Sequence, residues 1–270
     1  MHFDPHFSAI QIFWTLTFAG LLILLVVLLG RDRVSRFPWF TASMVVMALR
    51  MLASRLLFGR MAPLTSSEIF LTLADINAVV SILVVVEMAR RAFKGASRTA
   101  WIAGAAVMLA VAATVVVLWG PWPARQTVFA RSTLADLRLM QLVAQKTDMI
   151  VNFLLIELCV LVAFLGRRFH AGWRSHTQKI VIGLSTVSIA QLLVRFGLQE
   201  LSKAPPPQTQ QAYMHLMGLQ EKLLNTNSVV FLAVLIWWIA WLWLDEPGTV
   251  SALPVEPAGK PLTQGAGEAR

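Results

Sequence analysis

The stretch AIQIFWTLTFAGLLILLVVLLGRDR, residues 9–33, carries no charge before Arg31. A helix of about twenty apolar residues crosses a hydrocarbon core of roughly 30 Å. This run is that long. It ends in Leu29-Gly30-Arg31-Asp32-Arg33, where a secretory leader would end in small residues, and no basic segment precedes it. It therefore reads as a retained membrane span.

Six more runs follow the same pattern. Together the spans lie near 9–29, 39–58, 68–89, 99–119, 149–166, 180–199 and 225–244. Apolar residues make up 57% of the 270-residue chain and charged residues 14%, a balance that ordinary soluble domains do not show. The spans consume most of the chain and leave no room for a soluble catalytic domain. The expected fold is all-α integral membrane: a seven-transmembrane-helix bundle over residues 1–244, then a Pro-rich tail over 245–270. Pro247, Pro254, Pro257 and Pro261 interrupt that tail, which cannot bury a core and is expected to be disordered. Cys159 is the only cysteine, so no intrachain disulfide can form, and its apolar surroundings suit a packing role.

Loop charge sets the expected orientation. Arg31, Arg33 and Arg36 follow the first span, Arg90, Arg91, Lys94 and Arg98 the third, and Arg167, Arg168, Arg174 and Lys179 the fifth. Short basic loops stay on the cytoplasmic side, which puts the N-terminus outside and the C-terminus inside. The loop after span four opposes this weakly, with Arg125, Arg131, Arg138 and Lys146 mixed with Asp136 and Asp148. The net charge of +9 thus records topology rather than nucleic-acid binding. Residues 1–8 would be a short outer tail, and the expected location is the inner (plasma) membrane of a bacterium.

The outer side looks elaborated. Gly120-Pro121-Trp122-Pro123 stops span four, and Ser132-Thr133 caps a helix that runs on through Lys146 into span five. Pro205, Pro206 and Pro207 break the chain after span six, and residues 213–222 suggest a helix leading into span seven. An internal echo accompanies this. Asp75-Ile76-Asn77-Ala78-Val79-Val80 resembles Asn225-Thr226-Asn227-Ser228-Val229-Val230, Arg55 matches Arg195, and spans one and five both end in Leu-Gly-Arg. That order is the one a 3+1+3 parallel repeat produces.

The chemistry-bearing candidates are the polar residues inside the spans. Counted at about 1.5 Å per residue, Arg50 and Asp75 lie roughly 10–12 Å below the outer interface and Glu157 near the midplane, while Asn152 and Arg195 are shallower. Ser188, Gln191, Arg195 and Gln199 share one helix face, as do Ser43, Met47, Arg50 and Ser54, and Asn77 and Ser81 share a third. Below them the helices turn to Leu, Val and Trp. The expected site is an outward polar cup containing Arg50, Asp75, Asn77, Asn152, Glu157, Gln191, Arg195 and Asn227. Within it Arg50 should pair with Asp75 and Arg195 with Glu157, because charges in hydrocarbon need partners. Asn225 and Asn227 also suit a cap at the start of span seven. Trp237, Trp238, Trp241 and Trp243 fit an interfacial aromatic belt or a packing role rather than a stacking site.

Enzyme chemistry has little support. The sequence holds no H-E-x-x-H, no Gly-x-Ser-Gly with an intramembrane His, no Gly-rich phosphate loop and no metal-ligand spacing. No lysine sits mid-way in the last span to hold retinal, and no histidine lies within a span to hold haem. No cofactor is called for. The leading expectation is a receptor-like or sensory module whose cup takes a small polar or anionic ligand and whose inner loops contact a membrane or cytoplasmic protein. Two alternatives are a small-solute transporter built from two three-helix repeats and a non-catalytic accessory subunit of a membrane complex. The expected partners are thus the lipid bilayer, that ligand and that protein, and not nucleic acid.

Overall fold

The computed structural model describes residues 9–57, 61–94, 97–119, 133–165, 175–203 and 209–245. Among these residues there are eight helices and no strand. They are α1 (Ala9–Gly30), α2 (Arg33–Arg36), α3 (Pro38–Leu57), α4 (Pro63–Ala92), α5 (Arg98–Leu118), α6 (Thr133–Leu165), α7 (His176–Lys203) and α8 (Gln210–Trp243). All but α2 are long and apolar enough to cross a membrane. The outer tail 1–8, the Gly120–Pro123 stop, the three-proline break and residues 246–270 lie outside the described residues.

The helix ends follow local chemistry. Asp32 sits at φ 49, the left-handed turn that short polar side chains tolerate, and so reverses the chain after α1. Pro38 opens α3 and Pro63 opens α4, where a missing N–H costs nothing. Ser97 caps α5 by accepting from the Ala100 N–H at 3.3 Å, and Thr209 caps α8 by accepting from Ala212 N–H at 3.2 Å. The caps place the starts of two helices earlier than hydropathy did. α6 begins at Thr133 and α8 at Gln210, each in one piece with its expected outer segment. Asn225 and Asn227 therefore lie in mid-helix, and a capping role for them is excluded.

Six helices close a ring. α1 packs on α3, α3 on α4, α4 on α6, α6 on α7, α7 on α8, and α8 returns to α1. α5 stands outside the ring against α6. The outer surface is apolar: Val26, Leu29, Val107, Leu118, Phe164, Leu193 and Ile236 are all more than half exposed. In water such a surface would be untenable, whereas hydrocarbon is its natural solvent, and helices satisfy their own backbone there. The molecule is consistent with a helical membrane bundle.

The core fills only one half of the ring. Leu21, Leu24 and Leu28 of α1, Phe40 and Met44 of α3, Val84 and Met88 of α4, Leu154 and Leu158 of α6, Ile180 and Val181 of α7, and Leu235 and Trp238 of α8 form one buried cluster. These positions lie toward the end where α1 and α4 finish and α3 and α7 begin, the end that carries the basic loops. Trp238 is at its centre, 1% exposed, with its ring edge-on to Phe40 at 5.1 Å and 84°. Of the two roles expected for the tryptophans, belt or packing, Trp238 has the packing one, because Leu235, Trp238 and Leu242 share the buried face of α8. Trp237, Trp241 and Trp243 are on the surface, where Lys179 lies over Trp237 and Trp241 and Arg31 over Trp243.

That basic end is tied by polar bonds. The Glu87 carboxylate of α4 accepts from the Trp39 and Phe40 N–H groups, both at 3.1 Å, and so caps α3 from a neighbouring helix. Arg91, one turn on, reaches Glu87 at 3.5 Å and lies over the Phe37 ring. Arg33 is 6% exposed and meets Asp245 at 3.4 Å, joined by Arg31 at 3.6 Å. His176 Nε2 is 3.1 Å from the Leu244 carbonyl. Replacing Glu87 with Ala is expected to strand the buried Phe40 amide and the part-buried Trp39 amide and lower stability by about 1–3 kcal/mol, while Glu87→Gln keeps an acceptor and loses less. Thermal unfolding of the detergent-solubilised variants checks the order.

Trp238 fits because α7 has no side chain opposite it. A Cβ on Gly183 would stand 2.3 Å from Trp238 Nε1 and 2.6 Å from Cε2. The indole is rigid and enclosed, so it cannot swing away. Gly183→Ala should cost about 1–3 kcal/mol through overpacking. Adding Trp238→Phe, which removes the clashing ring atoms, should recover part of that loss. The unfolding temperatures of the single and double variants decide this.

Candidate functional site

The opposite half of the ring is open. A cavity of about 460 Å³ lies between α3, α4, α6, α7 and α8, and its walls include Arg50, Asn77, Gln141, Gln145, Asp148, Gln191, Arg195 and Asn227. Five of the eight residues expected at the site, Arg50, Asn77, Gln191, Arg195 and Asn227, meet here. Helical spacing brings them together: Met47 and Arg50 share a face of α3, and Gln191 and Arg195 share a face of α7. Ser188, on the same α7 face one turn toward the core, is buried.

Asp75, Asn152 and Glu157 line neither this cavity nor the two beside it. Asn152 is 4% exposed, and its amide nitrogen has no partner among the described residues. The same is true of one Asp75 oxygen and of both Glu157 oxygens. The pairing expected for them is corrected accordingly. No ion pair links Arg50 to Asp75 or Arg195 to Glu157 among the described residues.

Arg195 instead pairs with Asp148 and donates a second bond to the Gln145 carbonyl at 3.3 Å. Both partners come from α6. Asp148 stood one residue before the hydropathy limit of span five and so was read as a loop charge. The unbroken α6 carries it into the bundle. Its spacing of three, four and seven residues from Gln145, Ala144 and Gln141 is the signal available, since all four share one face.

Arg50 has a different environment. It lines the cavity half-buried, and no hydrogen bond or ion pair holds its guanidinium among the described residues. It interacts electrostatically with Asp148, which Arg195 already engages. The carbonyl oxygens of Asn77 and Asn227 are buried and likewise without partners. The cavity wall thus holds a guanidinium with no hydrogen-bond or ion-pair partner among the described residues, a second guanidinium fixed by a carboxylate, and two asparagines. A guanidinium offers paired donors to a carboxylate or phosphate and keeps its charge when half-buried.

Two further cavities adjoin it. One of about 650 Å³ lies between α1, α3, α7 and α8 and shares Met47, Gln191, Leu224 and Asn227 with the first. The other, about 300 Å³, shares Gln145 and Arg195. Trp119 at the end of α5 closes the smaller one. Its ring meets Phe153 and Phe196, and its Nε1 donates to Gln199 at 3.1 Å. Lys146 belongs to the outer segment of α6, as expected from the sequence, and donates to the Trp119 and Val116 carbonyls at 2.9 and 3.3 Å. It completes the C-terminus of α5 with a cation, as the helix dipole favours. Arg55 is exposed on the outer turn of α3, in keeping with a snorkelling side chain.

Comparison with models of known protein families, with curated proteins and with solved structures finds no match.

The observed pairing makes a specific expectation. Asp148→Ala and Arg195→Ala should be non-additive in a double-mutant cycle, with a coupling of roughly 1 kcal/mol for a half-exposed pair. Arg50→Ala and Asp75→Ala should add within about 0.5 kcal/mol. Unfolding free energies in lipid nanodiscs would show which pair is coupled, and coupling of Arg50 to Asp75 would contradict the geometry.

Proposed function

We propose that this protein is a receptor-like membrane module that binds a small anionic ligand in the cavity around Arg50. One observation carries the reading: Arg50 faces a cavity of about 460 Å³ without an ion-pair partner among the described residues. An arginine half-buried in a membrane bundle is costly unless water or a ligand reaches it. The carboxylate or phosphate of a ligand supplies the acceptor that the surrounding helices do not.

The orientation supports the same reading. Arg31, Arg33, Arg90, Arg91, Lys94, Arg98 and Lys179 all gather at the closed end, which by the positive-inside rule is cytoplasmic. The cavity then opens to the outside of a bacterial inner membrane, and the basic end faces a cytoplasmic or membrane partner. The packed floor around Trp238 leaves the cavity a dead end, as suits a sensor. A carrier of two three-helix repeats draws separate support from the ring, in which α1, α3 and α4 occupy one half and α6, α7 and α8 the other. An accessory subunit with no site of its own predicts paired charges and a filled outer half, against which the free Arg50 and the cavity count.

The test uses the intact protein in nanodiscs and in sealed vesicles. A panel of acetate, butyrate, succinate and inorganic phosphate is screened by thermal shift. At least one acid should stabilise the wild type, and Arg50→Gln should weaken its binding roughly ten- to hundredfold, the worth of one charge-assisted bond. The same labelled acid should not accumulate in vesicles. Accumulation would replace the sensor by the carrier, and an equal response from wild type and Arg50→Gln would remove the site.

A further inference from the structure

We propose that the ligand is an amphiphile, with its anionic head at Arg50 and an apolar chain in the adjoining 650 Å³ chamber. This deepens the ligand-binding reading and rests on it. Both chambers mix polar and apolar residues, and the second exposes the larger share of apolar surface. Around Arg50 the polar half of the wall includes Asp148, Arg195 and several amides. Next door, Phe13, Trp14, Met51, Met217 and Phe231 contribute aromatic and thioether surface beside Thr17, Asn225 and Ser228. Trp14 is itself stacked on Phe18, with centroids 5.3 Å apart and planes 11° from parallel, so this wall is rigid on the α1 side. Methionines on the other side adapt to chains of varied shape.

The chambers adjoin. Met47, Gln191, Leu224 and Asn227 line both, and the proposal places one end of a single molecule on each side of these four residues. Each volume falls within the range of small-molecule sites. A purely polar ligand would occupy the first chamber and leave the second to water against apolar walls, whereas an attached chain covers them.

Charge fixes the direction. Glu221 lies on the rim of the apolar chamber and repels an anion there, while Arg50 attracts it in the polar one. An anionic amphiphile therefore enters head toward Arg50. Two sources share this chemistry, a free fatty-acid-like molecule and an anionic lipid of the bilayer itself.

The experiment titrates acetate, butyrate, hexanoate and octanoate, with octanol as the neutral control, into the full-length protein in phosphatidylcholine nanodiscs. Binding should tighten about three- to fourfold per added methylene once the chain reaches the second chamber. Met51→Trp, which fills that chamber alone, should flatten the series while leaving acetate and butyrate unchanged. Met217→Trp, on its exposed rim, gives the same readout should the first variant fold poorly. Arg50→Gln should weaken every carboxylate and leave octanol unaffected. In phosphatidylglycerol nanodiscs, octanoate binding unchanged from phosphatidylcholine supports the free amphiphile, and competition that disappears in Arg50→Gln supports the bilayer lipid. If acetate and butyrate bind through Arg50 but chain length has no effect, the amphiphile is wrong and the anion site stands. If no carboxylate of any length binds, both fall together.

Discussion

The seating of Trp238 against Gly183 is the contact on which the rest of the bundle depends. A large rigid ring occupies the middle of the closed half, edge-on to Phe40 and enclosed by residues from the other ring helices. That ring fills space between α3, α7 and α8 that smaller side chains would leave empty. In the other half the same helices carry Arg50, Gln191, Arg195 and Asn227, and there a cavity of about 460 Å³ remains.

The basic end adds polar constraints to that packing. Helix starts and stops expose amides and carbonyls that hydrocarbon cannot satisfy. Here Glu87 answers the start of α3, while Leu244 and Asp245 at the end of α8 are met by His176, Arg31 and Arg33. Each of these bonds joins two helices and not only one helix to itself, so it fixes register along the bundle axis as well as closing a terminus. At the opposite end the corresponding device is Lys146 on the end of α5, which ties the peripheral helix to α6 and leaves the ring lumen free.

The spans and the inward polar faces were legible because both depend on one helix at a time. A period of 3.6 residues puts Gln191 beside Arg195, and Met47 beside Arg50, whatever the neighbours are. Pairing was not legible, because it depends on the rotation of two helices about their own axes. Arg50 and Asp75 lie at similar depth on adjacent helices, yet depth alone does not make them face each other. Glu87 escapes for a related reason: it lies inside the third span, but the donors it meets, the first amides of α3, belong to another helix, which one helix's periodicity does not reveal. Asp148 stands one residue outside the hydropathy limit of span five, and the helix continues past that limit and carries the carboxylate inward. Asn225 and Asn227 were misjudged the same way, since α8 starts at Gln210 rather than beside them. The periodicity of Leu235, Trp238 and Leu242 did carry the information that Trp238 is core, but four tryptophans in seven positions resemble a belt more readily than a stripe.

The unpartnered polar atoms divide into two classes with different physical meaning. Asn77 and Asn227 are residues of a cavity wall, although their carbonyl oxygens are buried within it. Asp75, Asn152 and Glu157 have buried polar atoms and line none of the three cavities. A buried polar atom without a partner raises the free energy of the fold, and a residue at a cavity wall can relieve that cost by a small rotation toward the open space, whereas one away from any cavity cannot. Counting polar residues by depth, as a sequence allows, merges the two classes. Glu157, the deepest charge by that count, falls in the second class, and Arg50 lies on a cavity wall.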